Sequence, residues 1–441
     1  VHQEPTKNSV LILIPERTDG DSINDFPDFN AKMITKHFLN SRTFYFYDSI
    51  ILNGIKKTEH DIEKTVIENS VSITFFVPGG SDYGLSIEFF RRLKNETDVK
   101  TVLWVLDDEM IFDTLSKYYC QVFDAVVTCD YYATYAYRKL GIPSLYYFSS
   151  YSKSDFHPVE VNKDIDVSFV GDCIKSDRAE YINFLRERGI NVEVFGKGSD
   201  NGFVNKEDLS EIFSRTKINL NFTKVDGPSV YGWFLEDDPI ISLARQNKGR
   251  PMEVAMTNSF CLSEYSPSLA VTFEIGAEID VFYDKEDLLN KVRFYLQNED
   301  ARIQIANNGY EKAINVYEAD KFIPELLDNL CSILTYYKYA QRQSKIFKNS
   351  IFKKNHINKL TSTMFRQLLK LRFGTAYETF TNLFQYGFGI FLISFAKGTK
   401  RGFVRMYLGI KEKYVKKRSA GFLANRITKI GSKKRSSMAE M

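Results

Sequence analysis

The sequence predicts an α/β fold of two successive doubly wound, Rossmann-like units facing across a cleft, followed by a basic helical tail. Three observations lead there. Apolar runs of strand length alternate with helical patterns over the first 160 residues, the alternation restarts after a polar join at 151–163, and the charge balance reverses near residue 341. At 441 residues the chain is too long for one ordinary domain, and the expected division is 1–155, 156–340 and 341–441.

In the first unit, strands are expected at 9–15, 43–47, 71–77, 101–106, 125–128 and 145–148. Helices are expected between them at 29–40, 59–69, 85–94, 112–119 and 131–140. Several strand runs are continuously apolar, as parallel strands covered on both faces must be. The second unit repeats the pattern, with strands at 167–170, 192–195, 218–222, 260–263, 270–273 and 279–282. Its helices are expected at 177–188, 208–214, 252–257, 285–297 and 300–316, with a closing helix or helix pair over 319–340. Leu288, Leu289, Val292 and Tyr295 share one face of the helix at 285–297. In such sheets ligands bind beyond the C-terminal strand ends, and a cleft between two units suits the joining of an activated donor to an acceptor. Dehydrogenases, phosphorylases, sugar epimerases and periplasmic binding proteins share this outline, which by itself names no activity.

Net charge is only +3, from 59 Lys and Arg against 56 Asp and Glu. Residues 341–441 hold 23 of the cations and only three acids, Glu378, Glu412 and Glu440, so the first 340 residues are acidic. Phe365, Leu368, Leu369 and Leu371, the run at 384–395, and Phe403, Val404, Met406, Tyr407 and Leu408 interleave those cations. The pattern is that of amphipathic helices meeting an anionic membrane, at about 1 kcal/mol per basic residue near the surface. A docking segment for a protein is the alternative, and nucleic acid is the least favoured partner. No run reaches the roughly 18–20 apolar residues of a bilayer span. The expected location is therefore cytoplasmic, with the tail peripheral on the inner membrane face. Cys120, Cys129, Cys173, Cys261 and Cys331 form no Cys-x-x-Cys pair, which argues against a zinc site or disulfide framework. The five histidines are scattered, and no metal site is expected.

The most specific chemistry lies in Lys248-Gly249-Arg250-Pro251-Met252-Glu253. A glycine loop opens a short helix with Pro251 at its first position. The amides of that helix start, with Arg250 just before it as a fixed bidentate cation, suit a diphosphate. Glu253 either accepts hydrogen bonds from two ribose hydroxyls or merely complements the helix dipole, and spacing leaves both readings open.

This stretch resembles the group 1 glycosyltransferases, specifically their CgeB-like branch. The branch's Lys-Gly-Arg-x-Phe-Glu-like motif corresponds to Lys248 through Glu253, and its later phrases to Ser263-Glu264-Tyr265 and Phe273-Glu274-Ile275-Gly276-Ala277-Glu278-Ile279. Glu286-Asp287-Leu288, Tyr295-Leu296, Arg302 and Asn308-Gly309-Tyr310 continue the match. Upstream, Asp166-Val167-Ser168-Phe169-Val170-Gly171 resembles the strand and glycine turn that open the donor lobe, and Arg178 an arginine after that turn. Ile218-Asn219-Leu220-Asn221-Phe222 resembles a central strand, and Trp104 through Asp108 and Phe123 through Thr128 resemble a weaker N-terminal signature. The likeness spans roughly residues 95–320.

The resemblance implies a GT-B fold and a nucleotide-diphosphate-sugar donor as substrate. It also implies retaining transfer of a hexosyl group with no obligatory metal or cofactor, and a glycan, lipid-linked or protein acceptor. Arg250, Arg178 and Lys175 would neutralise the leaving diphosphate, with Gly171, Lys248 and Gly249 around it and Glu253 on the ribose. Gly196, with Lys197 and Gly198, could border the base. Departures are also visible. Arg245 stands eight positions before Glu253, where the family commonly has a second glutamate, and Asn258 or Ser259 replaces a small residue. Val316-Tyr317 occupies the place of the usual His-Thr.

In the first unit, Asp107-Asp108-Glu109 follows a predicted strand, so Asp107 is a candidate for acceptor binding or proton transfer, with helix capping as the alternative. Gly79, Gly80 and Asp82 are further candidates for acceptor contact, and His157 lies in the interlobe join. Glu236-Asp237-Asp238 reads as a solvated loop. The rival functions are a non-catalytic GT-B-like binding or assembly protein, for which Arg245 speaks, and a nucleotide-sugar epimerase.

Overall fold

The computed structural model describes residues 6–15, 26–78, 84–148, 150–173, 177–196, 198–199, 201–224, 244–336 and 350–383. Val1–Ile50 with Lys56–Phe352 form one unit, and Ile51–Ile55 with Lys353–Met441 a second.

The first unit contains two parallel sheets. Strands β1 (Thr6–Ile14), β2 (Phe38–Tyr45), β3 (Ile73–Phe76), β4 (Lys100–Val105), β5 (Ala125–Thr128) and β6 (Ser144–Tyr146) pair in the order β2-β1-β3-β4-β5-β6. Strands β7 (Ile165–Val170), β8 (Val192–Phe195), β9 (Thr216–Asn221), β10 (Cys261–Glu264) and β11 (Asp280–Phe282) pair in the order β11-β10-β9-β7-β8. Both sheets thus place their first strand between the second and third. That is the doubly wound arrangement whose switch point opens a crevice beside the first strand's C-terminal end. The continuous apolar runs are buried as expected: every residue of β3 and of β5 is buried.

Three expected elements differ; one is the strand expected at 43–47, which runs Phe38–Tyr45, with Phe46 and Tyr47 opening the helix Phe46–Asn53. Residues 270–272 belong to a short helix, Leu269–Thr272, because β11 takes the place beside β10, with Leu262 opposite Asp280. A four-residue apolar run reads equally well as strand or helix. The helix expected to reach residue 40 ends at His37, and β2 starts at once with Phe38 buried in the first core.

The closing helix, Ala319–Tyr336, buries its apolar face in the core of the first sheet, while Phe322 also packs against a core of the second. Ala319, Ile323, Leu326, Leu327, Leu330 and Leu334 share a core with Val10, Ile12, Phe75 and Trp104. Each fully buried Leu or Ile there contributes about 1.5–3 kcal/mol. Helical periodicity announces an apolar face without saying what it meets, which is why the sequence groups this helix with its neighbours in the chain. The chain therefore crosses between the sheets twice, and the crossings touch: Tyr151 pairs with Glu318, and the Ala319 amide donates to the Tyr151 carbonyl at 3.0 Å.

In the second unit, helices Ser350–Leu369 and Phe373–Leu383 enclose a small core of Ile357, Leu360 and Leu383 with Ile55 and Phe380. Thr379 donates to Gln367 Oε1 at 2.8 Å. The expected apolar stretches at 384–395 and 403–408 lie outside the described residues.

Candidate functional site

Polar side chains gather at the C-terminal ends of β7, β9 and β10. After β7, the Gly171 amide donates to the Phe195 carbonyl at 2.8 Å, so the ends of β7 and β8 are tied together. Gly196, at φ +117°, fits there because a Cβ would lie 2.3 Å from the Gly171 carbonyl oxygen. Its observed role is this close backbone approach. Lys175 and Lys197 lie outside the described residues, as do Gly79, Gly80, Asp82 and Glu236-Asp237-Asp238.

Arg178 opens the helix Arg178–Arg186 and is buried, with its guanidinium 5.5 Å from the Phe169 ring centroid. It donates to the Asp172 carbonyl at 3.0 Å, and its buried Nε meets no hydrogen-bond acceptor among the described residues. Burial pulls its pKa below the ordinary arginine value; Asp172, Glu264 and Asp177 oppose that shift, while Arg250 adds to it. A buried donor is costly unless an acceptor meets it.

At the end of β10, the buried Glu264 accepts from the amides of Thr223 and Lys224, both at 2.8 Å, and from Arg245 Nε at 3.0 Å. Arg245 is thereby fixed at the sheet edge, a cation where the resemblance would place an anion. Lys224 in turn donates to Asp177 at 2.8 Å, just before Arg178.

The helix Arg250–Met256 begins at Arg250 itself, one residue earlier than expected, with Pro251 in its first turn. With seven residues it has few aligned peptide dipoles, so charge at this corner comes mainly from side chains. Arg250 lies 5.0 Å from the Phe213 ring centroid and pairs with Glu253 Oε2. Glu253, 8% exposed, also accepts from the Tyr151 hydroxyl at 2.9 Å. Sequence reasoning missed Tyr151, which lies 102 positions away in the interlobe crossing and carries no local signal.

A second polar contact joins the sheets. Asp107, at the end of β4, accepts from Gln246 Nε2, and Gln246 Oε1 accepts from Lys248 Nζ. The structure therefore brings Asp107 and Lys248 together through Gln246. Asp107 precedes the helix Asp108–Ile111 but makes no side-chain cap hydrogen bond there. Glu109 accepts from the Asn247 amide at 2.9 Å. Burial first, then the nearby Asp130, raises its pKa well above the usual carboxylate range. His157 is exposed, and its amide lies 3.4 Å from Ser210 Oγ.

Asp108 is buried beneath this edge and accepts from Thr128 at 2.6 Å and from Tyr137 at 2.8 Å. Burial outweighs hydrogen bonds from Thr128, Ser116 and Tyr137 and pushes its pKa up to about 6. The folded state therefore binds this proton more tightly than the unfolded chain does. The stabilisation from it is complete below the unfolded pKa of 3.8 and is lost as pH rises through about 6. That loss is about 3 kcal/mol. Urea unfolding of Asp108→Asn, measured from pH 4 to 7, should lack this decline; a profile parallel to the wild type would refute it.

The two sheets, their shared order and the double crossing define the two-lobed GT-B fold. Residues 178–328 match the model of a family described as glycosyl transferase-like. No curated protein matches the chain by sequence. Among solved structures, HepE of Anabaena in complex with UDP is similar at 10% identity and TM-score 0.53, covering 74% of this chain and 100% of that one. Sucrose-phosphate synthase from Thermosynechococcus elongatus is similar at 9% identity and TM-score 0.54, with 74% and 100% covered. A glycosyltransferase from Rickettsia africae is similar at 11% identity and TM-score 0.53, with 75% and 100% covered. At these identities the likeness shows the fold.

Proposed function

We propose that the chain is a glycosyltransferase that moves a hexosyl group from a nucleoside-diphosphate sugar to a glycan, lipid-linked or protein acceptor. The observation that carries this reading is the buried Arg178, whose Nε meets no acceptor among the described residues, set beside the Arg250–Glu253 pair at the C-terminal edge of the second sheet. In this reading the guanidinium groups hold a diphosphate, and Glu253 with Tyr151 accepts and orients ribose hydroxyls. The match at 178–328 includes Arg178, Arg250 and Glu253. HepE was solved with UDP, which makes UDP the first nucleotide to test.

In the retaining reaction proposed here, the bond from the sugar's anomeric carbon to the diphosphate breaks and a bond to the acceptor oxygen forms. The acceptor proton passes to the departing diphosphate, whose charge Arg178 and Arg250 offset. Side-chain cations then do the work of a divalent metal. The CgeB-like resemblance and a role in polysaccharide synthesis belong to the same proposal.

The tail is proposed to hold the protein on an anionic membrane at the cytoplasmic face. Leu369, Leu371, Phe373 and Tyr377 are each at least 65% exposed and alternate with Lys370 and Arg372, the composition of an interfacial anchor. Co-sedimentation with phosphatidylserine vesicles that is unchanged by removing residues 353–441 would refute it.

Thermal melting with UDP, GDP and dTDP tests the donor reading. A cognate nucleotide at a hundred times its Kd should stabilise the fold by about 2.7 kcal/mol. No shift with any of them would instead support the binding or assembly reading, which Arg245 favours. Interconversion of a free nucleotide sugar without acceptor would mark an epimerase.

A further inference from the structure

Beyond β5 the chain turns at Asp130, whose carboxylate accepts from the Tyr132 amide at 2.9 Å, into the helix Tyr131–Lys139. Ala133, Thr134 and Tyr137 bury one face of that helix. Tyr131 and Tyr135, four residues apart, lie together, with ring centroids 5.7 Å apart and hydroxyls 3.3 Å apart. Tyr132 packs against Tyr131 at 5.8 Å and is 53% exposed, while Tyr135 is 49% exposed. Three partly open aromatic rings thus stand at the C-terminal edge of the first sheet, the edge where ligands of doubly wound sheets bind.

The row continues into the contact between the lobes. The Tyr131 ring meets Tyr146 edge-on at 5.4 Å, and the Tyr146 hydroxyl accepts from Asn247 Nδ2 at 3.3 Å. Asn247 immediately precedes Lys248-Gly249-Arg250, and its own amide donates to Glu109. Asp130 lies close enough to Glu109 to raise that carboxyl's pKa. The aromatic row is therefore tied through two hydrogen-bonded residues to the loop that opens the donor helix.

We propose that Tyr131, Tyr132 and Tyr135, with Asp130, form the acceptor subsite, and that it takes a pyranose unit of a saccharide acceptor. This inference rests on the glycosyltransferase reading. A pyranose ring presents a face of C–H bonds and a rim of hydroxyls. Its C–H face is attracted to the negative face of an aromatic ring, and its rim needs hydrogen-bonding groups close by. Exposed tyrosines supply both a ring face and a hydroxyl, and Asp130 adds a carboxylate acceptor. A purely aliphatic acceptor would leave these polar groups unmatched.

Saturation-transfer NMR on the UDP-loaded full chain, with the methyl glycosides of glucose, galactose, mannose and N-acetylglucosamine, tests this. At least one glycoside should bind, with transfer strongest to the C–H groups of one ring face. The double variant Tyr132→Ala/Tyr135→Ala should weaken that binding by about tenfold or more. The Phe/Phe pair should keep most of it, and the melting shift produced by UDP should be unchanged in both. Binding of glycoside by the alanine pair at the wild-type level would overturn the subsite, as would wild type that binds UDP but no glycoside. A wild type that shows no shift with UDP, GDP or dTDP would remove the donor reading and this subsite with it.

Discussion

Arg250→Ala and Glu253→Ala are each expected to lower kcat/KM for the nucleotide-sugar donor by about a hundredfold or more, the usual loss when one group holding transition-state charge is removed. Arg250 is fixed against Phe213 and paired with Glu253, so its charge is in place before a ligand arrives. Removing Glu253 frees that guanidinium and deletes the hydrogen bond that the Tyr151 hydroxyl donates to the carboxylate. Removing Arg250 leaves a nearly buried carboxylate held only on one side, and part of the loss will appear as stability. Melting curves must therefore accompany the kinetics. Tyr151→Phe, which deletes one hydrogen bond and keeps the ring, should cost only a fraction of this effect, about 1 kcal/mol. Turnover undiminished in both alanine variants would end the assignment of this corner to the donor.

Gly196→Ala is expected to destabilise the fold by roughly 3 kcal/mol or more, because it combines a conformation unsuited to a side chain with overpacking. The new methyl would meet the Gly171 carbonyl oxygen, a backbone atom that cannot turn aside. Since Gly171 directly follows β7 and is bonded to Phe195, relief would require parting the ends of β7 and β8. The control is Gly189→Ala, at φ +80° with nothing within 4 Å of the added Cβ, which should cost only backbone strain. Equal shifts of the urea midpoint in the two variants would show that the contact with Gly171 carries no energy. The Gly309 contact is comparable, since a Cβ there would lie 2.4 Å from the Glu278 carbonyl oxygen. It gives the Asn308-Gly309-Tyr310 phrase a packing role, and Asn308 adds a hydrogen bond to the Ala277 carbonyl at 3.0 Å.

Much of the fold was legible because burial writes itself locally. The apolar runs at β3, β4, β5 and β7, and the Leu288, Leu289, Val292 and Tyr295 stripe, are buried where their periodicity places them. The corner at Arg250 and Glu253 was legible for a similar reason. Three residues separate them, so a helical turn alone brings them together.

What sequence could not carry is the identity of partners brought together from far along the chain. Asp107 was visible as a carboxylate at a strand end, yet its contact with Gln246 spans 139 positions. Arg245 was visible only as a departure from a motif; its ion pair with Glu264 depends on how β9 and β10 end side by side. By itself, the sequence determined two doubly wound units and a cationic helix corner, because spacing fixes which side chains share a face. Only the tertiary structure decided that the closing helix returns to the first sheet and that Tyr151 completes the Glu253 site. It also decided that Asp108 is buried while Asp107 and Glu109 reach the other lobe, since each of these depends on which distant surface a segment meets.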